Sequence, residues 1–151
     1  MLGMSAEDDL NEFIEKFAPN MQTLIRACRA GMHARFPNAK QLVYDNYNFL
    51  VIGFGPTVRA SDAIFSLAAQ RTGMNLCFLQ HGADLPDPAG VLRGSGKVVR
   101  NLPLQAAKDL DSPDTEALIS AALQRAKVPM DASDDFELII KSVSAKQRPR
   151  Q

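Results

Sequence analysis

The sequence predicts an α+β domain: an antiparallel sheet of about five or six strands, with an N-terminal helical hairpin and a late helix packed on one face. Three observations lead there. Apolar residues recur at helical spacing from Leu10 to Met32 and again from Leu118 to Leu123, and strand-like segments bunch between them. No stretch between Gln41 and Leu79 has room for the crossover helices that parallel strands need. Helices at both ends of a strand cluster bury their apolar stripes most economically on one face of a shared sheet.

The elements follow in order. Ser5 caps a first helix, with Asp8 at the position where an acid reaches back, and Leu10, Phe13, Ile14 and Phe17 form its apolar stripe. Pro19 breaks that helix. Met21, Leu24, Ile25, Cys28 and Met32 form a second stripe, which ends at Phe36-Pro37-Asn38. Gln41 to Tyr47 and Phe49 to Phe54 read as strands, with Gly55-Pro56-Thr57 as a turn. Asp62 to Ala69 reads as a third strand and Asn75 to Leu79 as a fourth. A loop from Gly82 to Gly96 holds Pro86, Pro88, Gly90 and Gly94 and leads to a fifth strand over Lys97 to Leu102. Ser112-Pro113-Asp114 opens the late helix, whose stripe is Leu118, Ile119, Ala122 and Leu123. Phe136 to Val143 alternates apolar and polar residues as a last strand, expected to pair within its own chain. No linker divides the 151 residues, so they read as one domain: a core over about residues 5–127, a strand extension over about 134–144 and a flexible basic tail over 145–151.

Composition bounds the function. A chain of this length buries roughly 68–70% of its unfolded surface, so it needs no disulfide or metal staple. Seventeen Lys and Arg balance seventeen Asp and Glu, which predicts no field for capturing nucleic acid or an anionic membrane. The three-cation tail Lys146 to Gln151 suits either a solubilising terminus or non-specific nucleic-acid contact. The longest apolar run, Phe49 to Phe54, is far too short to span a bilayer. Met1 to Met4 leads at once into acidic residues, unlike a signal peptide, so a cytoplasmic protein is expected. Cys28 and Cys77 both lie in apolar patterns and read as small buried hydrophobes.

Strong catalytic patterns are missing. The two histidines, His33 and His81, belong to no zinc spacing, and no Gly-x-Ser-x-Gly elbow occurs. Gly94-Ser95-Gly96-Lys97 falls short of a phosphate loop, with Val91 where the first glycine belongs and Val98 in place of the Ser or Thr that would hold magnesium. Lys97 and Arg100 still suit a groove for a small anion or carboxylate. The densest polar stretch is Val43-Tyr44-Asp45-Asn46-Tyr47-Asn48, at the mouth of an apolar strand. Such rings with polar tips fit a ligand groove, or the rim of a core with their polar groups bonded to backbone. Arg59 and Asp62 either complete that polar patch or form a surface ion pair.

Three parts of the chain resemble the YdhG-like domain family: the helical hairpin, the Tyr44-Asp45-x-Tyr47-Asn48 strand leading to Ile52-Gly53-Phe54-Gly55-Pro56, and Gly94-Ser95-Gly96-Lys97-x-x-Arg100 before the last helix. The resemblance covers about Leu10 to Ala126. It implies a sandwich similar to that of frataxins and, for some members, a frataxin-like iron carrier; it supplies no catalytic residues. On that implication, Asp8, Asp9, Glu12 and Glu15 would bind iron weakly through hard oxygen ligands. The plainer reading is that these acids complement the positive helix N-terminus and face solvent. The sequence therefore predicts a non-catalytic binding module for a small molecule or anion, monomeric or homodimeric. Its expected ligand residues are Tyr44, Asp45, Tyr47, Asn48, Arg59, Asp62, Lys97 and Arg100, and no cofactor is expected unless iron binds the acidic helix.

Overall fold

Ser5 starts the first helix in the computed structural model, which describes residues 5–151. Its hydroxyl accepts from the Asp8 backbone N–H at 3.1 Å, and the Asp8 carboxylate accepts from the Ser5 N–H at 3.3 Å. This capping box opens α1 (Ala6–Glu15), which buries Leu10, Phe13 and Ile14. Pro19 plays two roles. It cannot extend α1, yet it opens α2 (Pro19–Arg35) in the first turn, where no N–H is needed. Met21, Ile25, Cys28 and Met32 form the buried stripe of α2. The late helix α3 (Pro113–Gln124) starts on Ser112, whose hydroxyl accepts from the Thr115 N–H, and buries Leu118, Ile119, Ala121 and Ala122. The opening Met1 to Met4, read above as unlike a signal peptide, lies outside the described residues.

The six strands are β1 (Lys40–Asp45), β2 (Leu50–Gly55), β3 (Phe65–Gln70), β4 (Gly73–Phe78), β5 (Arg100–Leu104) and β6 (Glu137–Val143), in the order β5-β4-β3-β2-β1-β6. Strands β1 to β5 form an antiparallel meander. The antiparallel sheet expected from sequence holds for these five strands, and β6 differs in pairing with β1 in parallel. Residues 105–136, which include α3, are the crossover that a parallel partner requires. The meander leaves no room for such a crossover, but the chain beyond it does. The β1–β6 register shifts between Val43 and Tyr44, leaving Lys141 unpaired as a bulge. The last strand does pair within its own chain, as expected.

Two strand starts also move. Ala60–Asp62 is a 3₁₀ turn, and β3 begins only at Phe65. The Asp62 and Ala63 carbonyls are taken by the Gln80 side-chain amide, so they are not free for a ladder. Gly55 approaches this segment so closely that a Cβ there would stand 2.8 Å from Ala63 Cα. Lys97 to Val99 precede β5 as loop.

One face of the sheet carries the core. Val43, Leu50, Ile52, Phe54, Phe65, Leu67, Leu76, Phe78 and Leu102 form one cluster with the buried residues of all three helices. Each large side chain buried this way contributes about 1.5–3 kcal/mol of hydrophobic stabilisation. Leu138 and Ile140 of β6 pack against the same cluster, so the last strand belongs to this core. Several residues of opposite parity, among them Gly53, Ser66, Ala68 and Cys77, are small and face the other way. Both cysteines are free and buried. Burial pushes the Cys28 thiol up to about 11, and burial also raises Cys77, so neither is a poised thiolate. Among the described residues, no helix is long and apolar enough to cross a membrane.

Candidate functional site

The polar stretch singled out in the sequence is the end of β1 and its turn into β2. Asn46 N–H donates to the Phe49 carbonyl at 2.9 Å, and Asn46, Tyr47 and Asn48 are exposed in the turn. Strand alternation puts Tyr44 on one face of the sheet and Val43 and Asp45 on the helix face. Tyr44 is half-buried, and that burial pushes its hydroxyl up from the usual phenol range. Asp45 is 0% exposed.

A buried carboxylate must be paired or lose its charge. Asp45 is paired twice. Lys16 Nζ stands 2.7 Å from Oδ2, and Arg150 Nη2 donates to Oδ1 at 3.0 Å. Lys16 lies between the two N-terminal helices, whereas Arg150 comes from the far end of the sequence. The same Arg150 nitrogen donates to the Asn46 carbonyl at 2.7 Å, and the guanidinium lies over the Phe17 ring, 5.7 Å from its centroid. Gln147 donates to the Asp45 carbonyl and accepts from Lys16. Arg148 N–H donates to the Tyr47 carbonyl at 2.8 Å, with its guanidinium over the Tyr47 ring. The tail expected to be loose is therefore docked on the residues expected to hold a ligand. Its physical reason is the buried carboxylate of Asp45: Lys16 balances its charge but bonds only Oδ2, which leaves Oδ1 for Arg150.

The other expected ligand residues do not converge there. Arg100 lies on β5, four strand spacings from β1, or about 19 Å at the usual spacing. Its Nη1 donates to the Gly96 and Val99 carbonyls of its own loop. Lys97 is exposed on that loop, which turns at Gly94 with φ of 119° before Arg93 and Asn101 bridge. The Gly-Ser-Gly-Lys stretch is thus a turn. Asp62 is buried in the loop between β2 and β3, accepting from Thr57 Oγ1 at 2.7 Å, with Lys127 Nζ at 3.9 Å. Arg59 is exposed nearby, its backbone N–H donating to Thr57 Oγ1. One groove uniting Tyr44, Tyr47, Asn48, Lys97 and Arg100 does not form.

Two concave regions lie elsewhere. A cleft of about 450 Å³ opens where α2 and α3 end, lined by Phe36, Pro37, Ala39, Leu123, Pro129 and Met130, with Arg35, Asn38, Asp131 and Ser133 as its polar groups. Phe36 stacks on Phe65 at 5.6 Å, which fixes one wall. Ser133 Oγ donates to the Asn38 carbonyl and closes one side. Arg35 binds both oxygens of Glu116, as well as Asp111 and the Leu110 carbonyl. The hydrogen bonds that Arg35 donates to Glu116 raise Arg35 and hold the Glu116 carboxyl below the usual range. The second, of about 380 Å³, lies between α1, α2 and the start of β6, lined by Glu7, Arg26, Arg29, His33 and Phe136 among others. Arg29 clamps Glu7 with two bonds and donates Nε–H to Gln41 Oε1. That bond turns the Gln41 amide so its nitrogen meets His33 Nδ1 at 3.1 Å, leaving the imidazole proton on Nε2. None of these lining residues carried a sequence signal beyond ordinary helix and turn chemistry.

The acids of α1 lie along its solvent side. Asp8 is spent on the cap, Glu15 accepts from Asn11, and Glu12 is exposed. Among the described residues, no group of three or more His, Cys, Asp or Glu stands ready to hold a metal ion. No family model, curated protein or solved structure matches the chain.

Proposed function

We propose that this chain is a non-catalytic binding module for a small, uncharged and largely apolar molecule, held in the cleft between the ends of α2 and α3. The observation that carries this reading is the cleft itself: about 450 Å³, walled by Phe36, Pro37, Leu123, Pro129 and Met130, with a few fixed polar groups at its rim. Sites for small molecules have this size and composition. Charge narrows the ligand further. The guanidinium of Arg35 already faces Asp111 and Glu116, and Asp131 adds another acid, so an anion gains nothing there. The lining offers no nucleophile: its only hydroxyl, that of Ser133, is committed to a backbone carbonyl. Two free buried cysteines support a reducing, cytoplasmic setting.

The test is thermal unfolding against a panel of neutral metabolites, with Leu123→Trp as the variant that fills the cleft. A true ligand at a hundred times its Kd stabilises the native state by about 2.7 kcal/mol. The expected result is a shift that Leu123→Trp removes; a shift that survives in Leu123→Trp would count against the cleft. Fe(II) in the same assay addresses the frataxin-like alternative that follows from the YdhG-like resemblance. An iron-dependent shift lost on replacing Asp8, Asp9, Glu12 and Glu15 by their amides would favour the iron carrier.

A further inference from the structure

The pocket around Asp45 has the construction of a receptor for one kind of side chain. Its base is a carboxylate with no exposure to solvent. One oxygen is already taken by Lys16, a point charge, and the other faces Arg150 together with the Asn46 carbonyl. The Phe17 ring supplies a flat wall. A cation lying on an aromatic face suits a planar guanidinium better than a second ammonium.

The segment that fills the pocket is a poor permanent occupant. Of residues 144–151, only Arg150 is buried; Ala145, Lys146, Arg148 and Pro149 are exposed. No large apolar side chain of that segment enters the core, so polar and charge contacts alone hold it. Even the anchor is incompletely satisfied: Arg150 Nε is buried and has no hydrogen-bond partner among the described residues. A segment held by one buried charge and a few hydrogen bonds from Ser144, Gln147 and Arg148, with no apolar burial, exchanges readily and is weakened by salt.

We propose that the Asp45 pocket is a guanidinium site for arginine-bearing peptide segments, and that residues 144–151 are its tethered occupant, which a partner segment displaces. The site is independent of the cleft at the ends of α2 and α3, and either reading can fail without the other.

The experiment uses the full chain and a fluorescent synthetic copy of residues 146–151, followed by anisotropy. Arg150→Ala, which vacates the pocket, is expected to bind the peptide saturably. Wild type is expected to bind it ten- to a hundredfold more weakly, the difference being the competition from its own tail. Raising salt weakens both. A peptide with citrulline in place of the second arginine keeps the shape and loses the charge, and is expected to lose at least tenfold. This control needs no change in the protein, so it stands even where Asp45→Asn folds poorly. Equal binding of the citrulline peptide, or no binding to Arg150→Ala, overturns the proposal. Binding to Arg150→Ala with none to wild type at a hundred times the concentration also overturns it, because the tail would then be a fixed structural lock.

Discussion

The end of β1 and the start of β5 both carry polar and charged residues, and sequence makes them look alike. At β1 the charge points inward. Asp45 is fully buried and gathers Lys16 and Arg150 from distant parts of the chain. At β5 the charge points outward, with Lys97 exposed and Arg100 bonded to carbonyls of its own loop. The first arrangement ties three segments together, and the second only shapes a turn. Neither residue type nor strand parity alone decides between the two: Arg100 shares the parity of Leu102 and Leu104, yet its guanidinium turns back onto its own loop.

The largest expected effect tests the β1 end. Asp45→Asn leaves Arg150 and Lys16 without their anion. Breaking a fully trapped pair costs about 3–5 kcal/mol, but here the tail can swing into water, so a loss of about 2–3 kcal/mol is expected in urea unfolding. Arg100→Ala, its counterpart at β5, should cost less than about 0.5 kcal/mol. Equal losses would erase the contrast between the two ends.

The next prediction concerns backbone at β5. A Cβ on Gly82 would stand 2.5 Å from Arg100 N and 2.8 Å from Val98 O, and both are main-chain atoms. Gly82→Ala should therefore cost about 1–3 kcal/mol through forced movement of the loop. Hydrogen exchange should show the damage confined to the β5 end, with β1 amides unchanged. If β1 loosens as well, the two ends are coupled more tightly than their separation implies.

The smallest effect is a pH dependence above β1. The hydrogen bond from Arg29 holds the Glu7 carboxyl below its ordinary value of 4.5. A carboxylate with a lowered folded value stabilises the protein fully above that ordinary value, and the contribution fades as pH falls below it. Glu7 is about half exposed, which keeps the effect modest. Glu7→Gln should be slightly less stable than wild type at pH 6, and the two stability curves should converge as pH drops from 4.5. Parallel curves would mean that the Glu7–Arg29 clamp contributes nothing.

Local chemistry was legible in the sequence, and long-range chemistry was not. Ser5 with Asp8, Pro19, and Ser112 before Pro113 each name their structure within four residues, and each is found where expected. The alternation of Val43, Tyr44 and Asp45 was legible too. The start of β3 was misread because Ala63-Ile64 has strand character while Gln80 holds the backbone just before it. The parallel β6 was missed because the argument against crossovers applied only between Gln41 and Leu79. Arg150 was unreadable for a plainer reason. Nothing in a basic tail says that one of its cations will meet a buried acid 105 positions away. The Tyr44–Asn48 stretch forms a strand end and its turn, and the Gly94–Arg100 stretch forms a turn, but only the first reaches distant parts of the chain, through Asp45.

The parallel pairing of β6 with β1 also sets a clock. Lys40 finds its partner in Glu137, 97 residues later. At a synthesis rate of about 5–20 residues per second, β1 waits roughly 5–20 s on the ribosome with one side unpaired. Throughout that wait Asp45 is without its arginine, and the apolar flank later covered by Leu138 and Ile140 stays open. A nascent chain stalled before residue 137 should therefore be the form that chaperones bind, and release should follow once β6 has emerged.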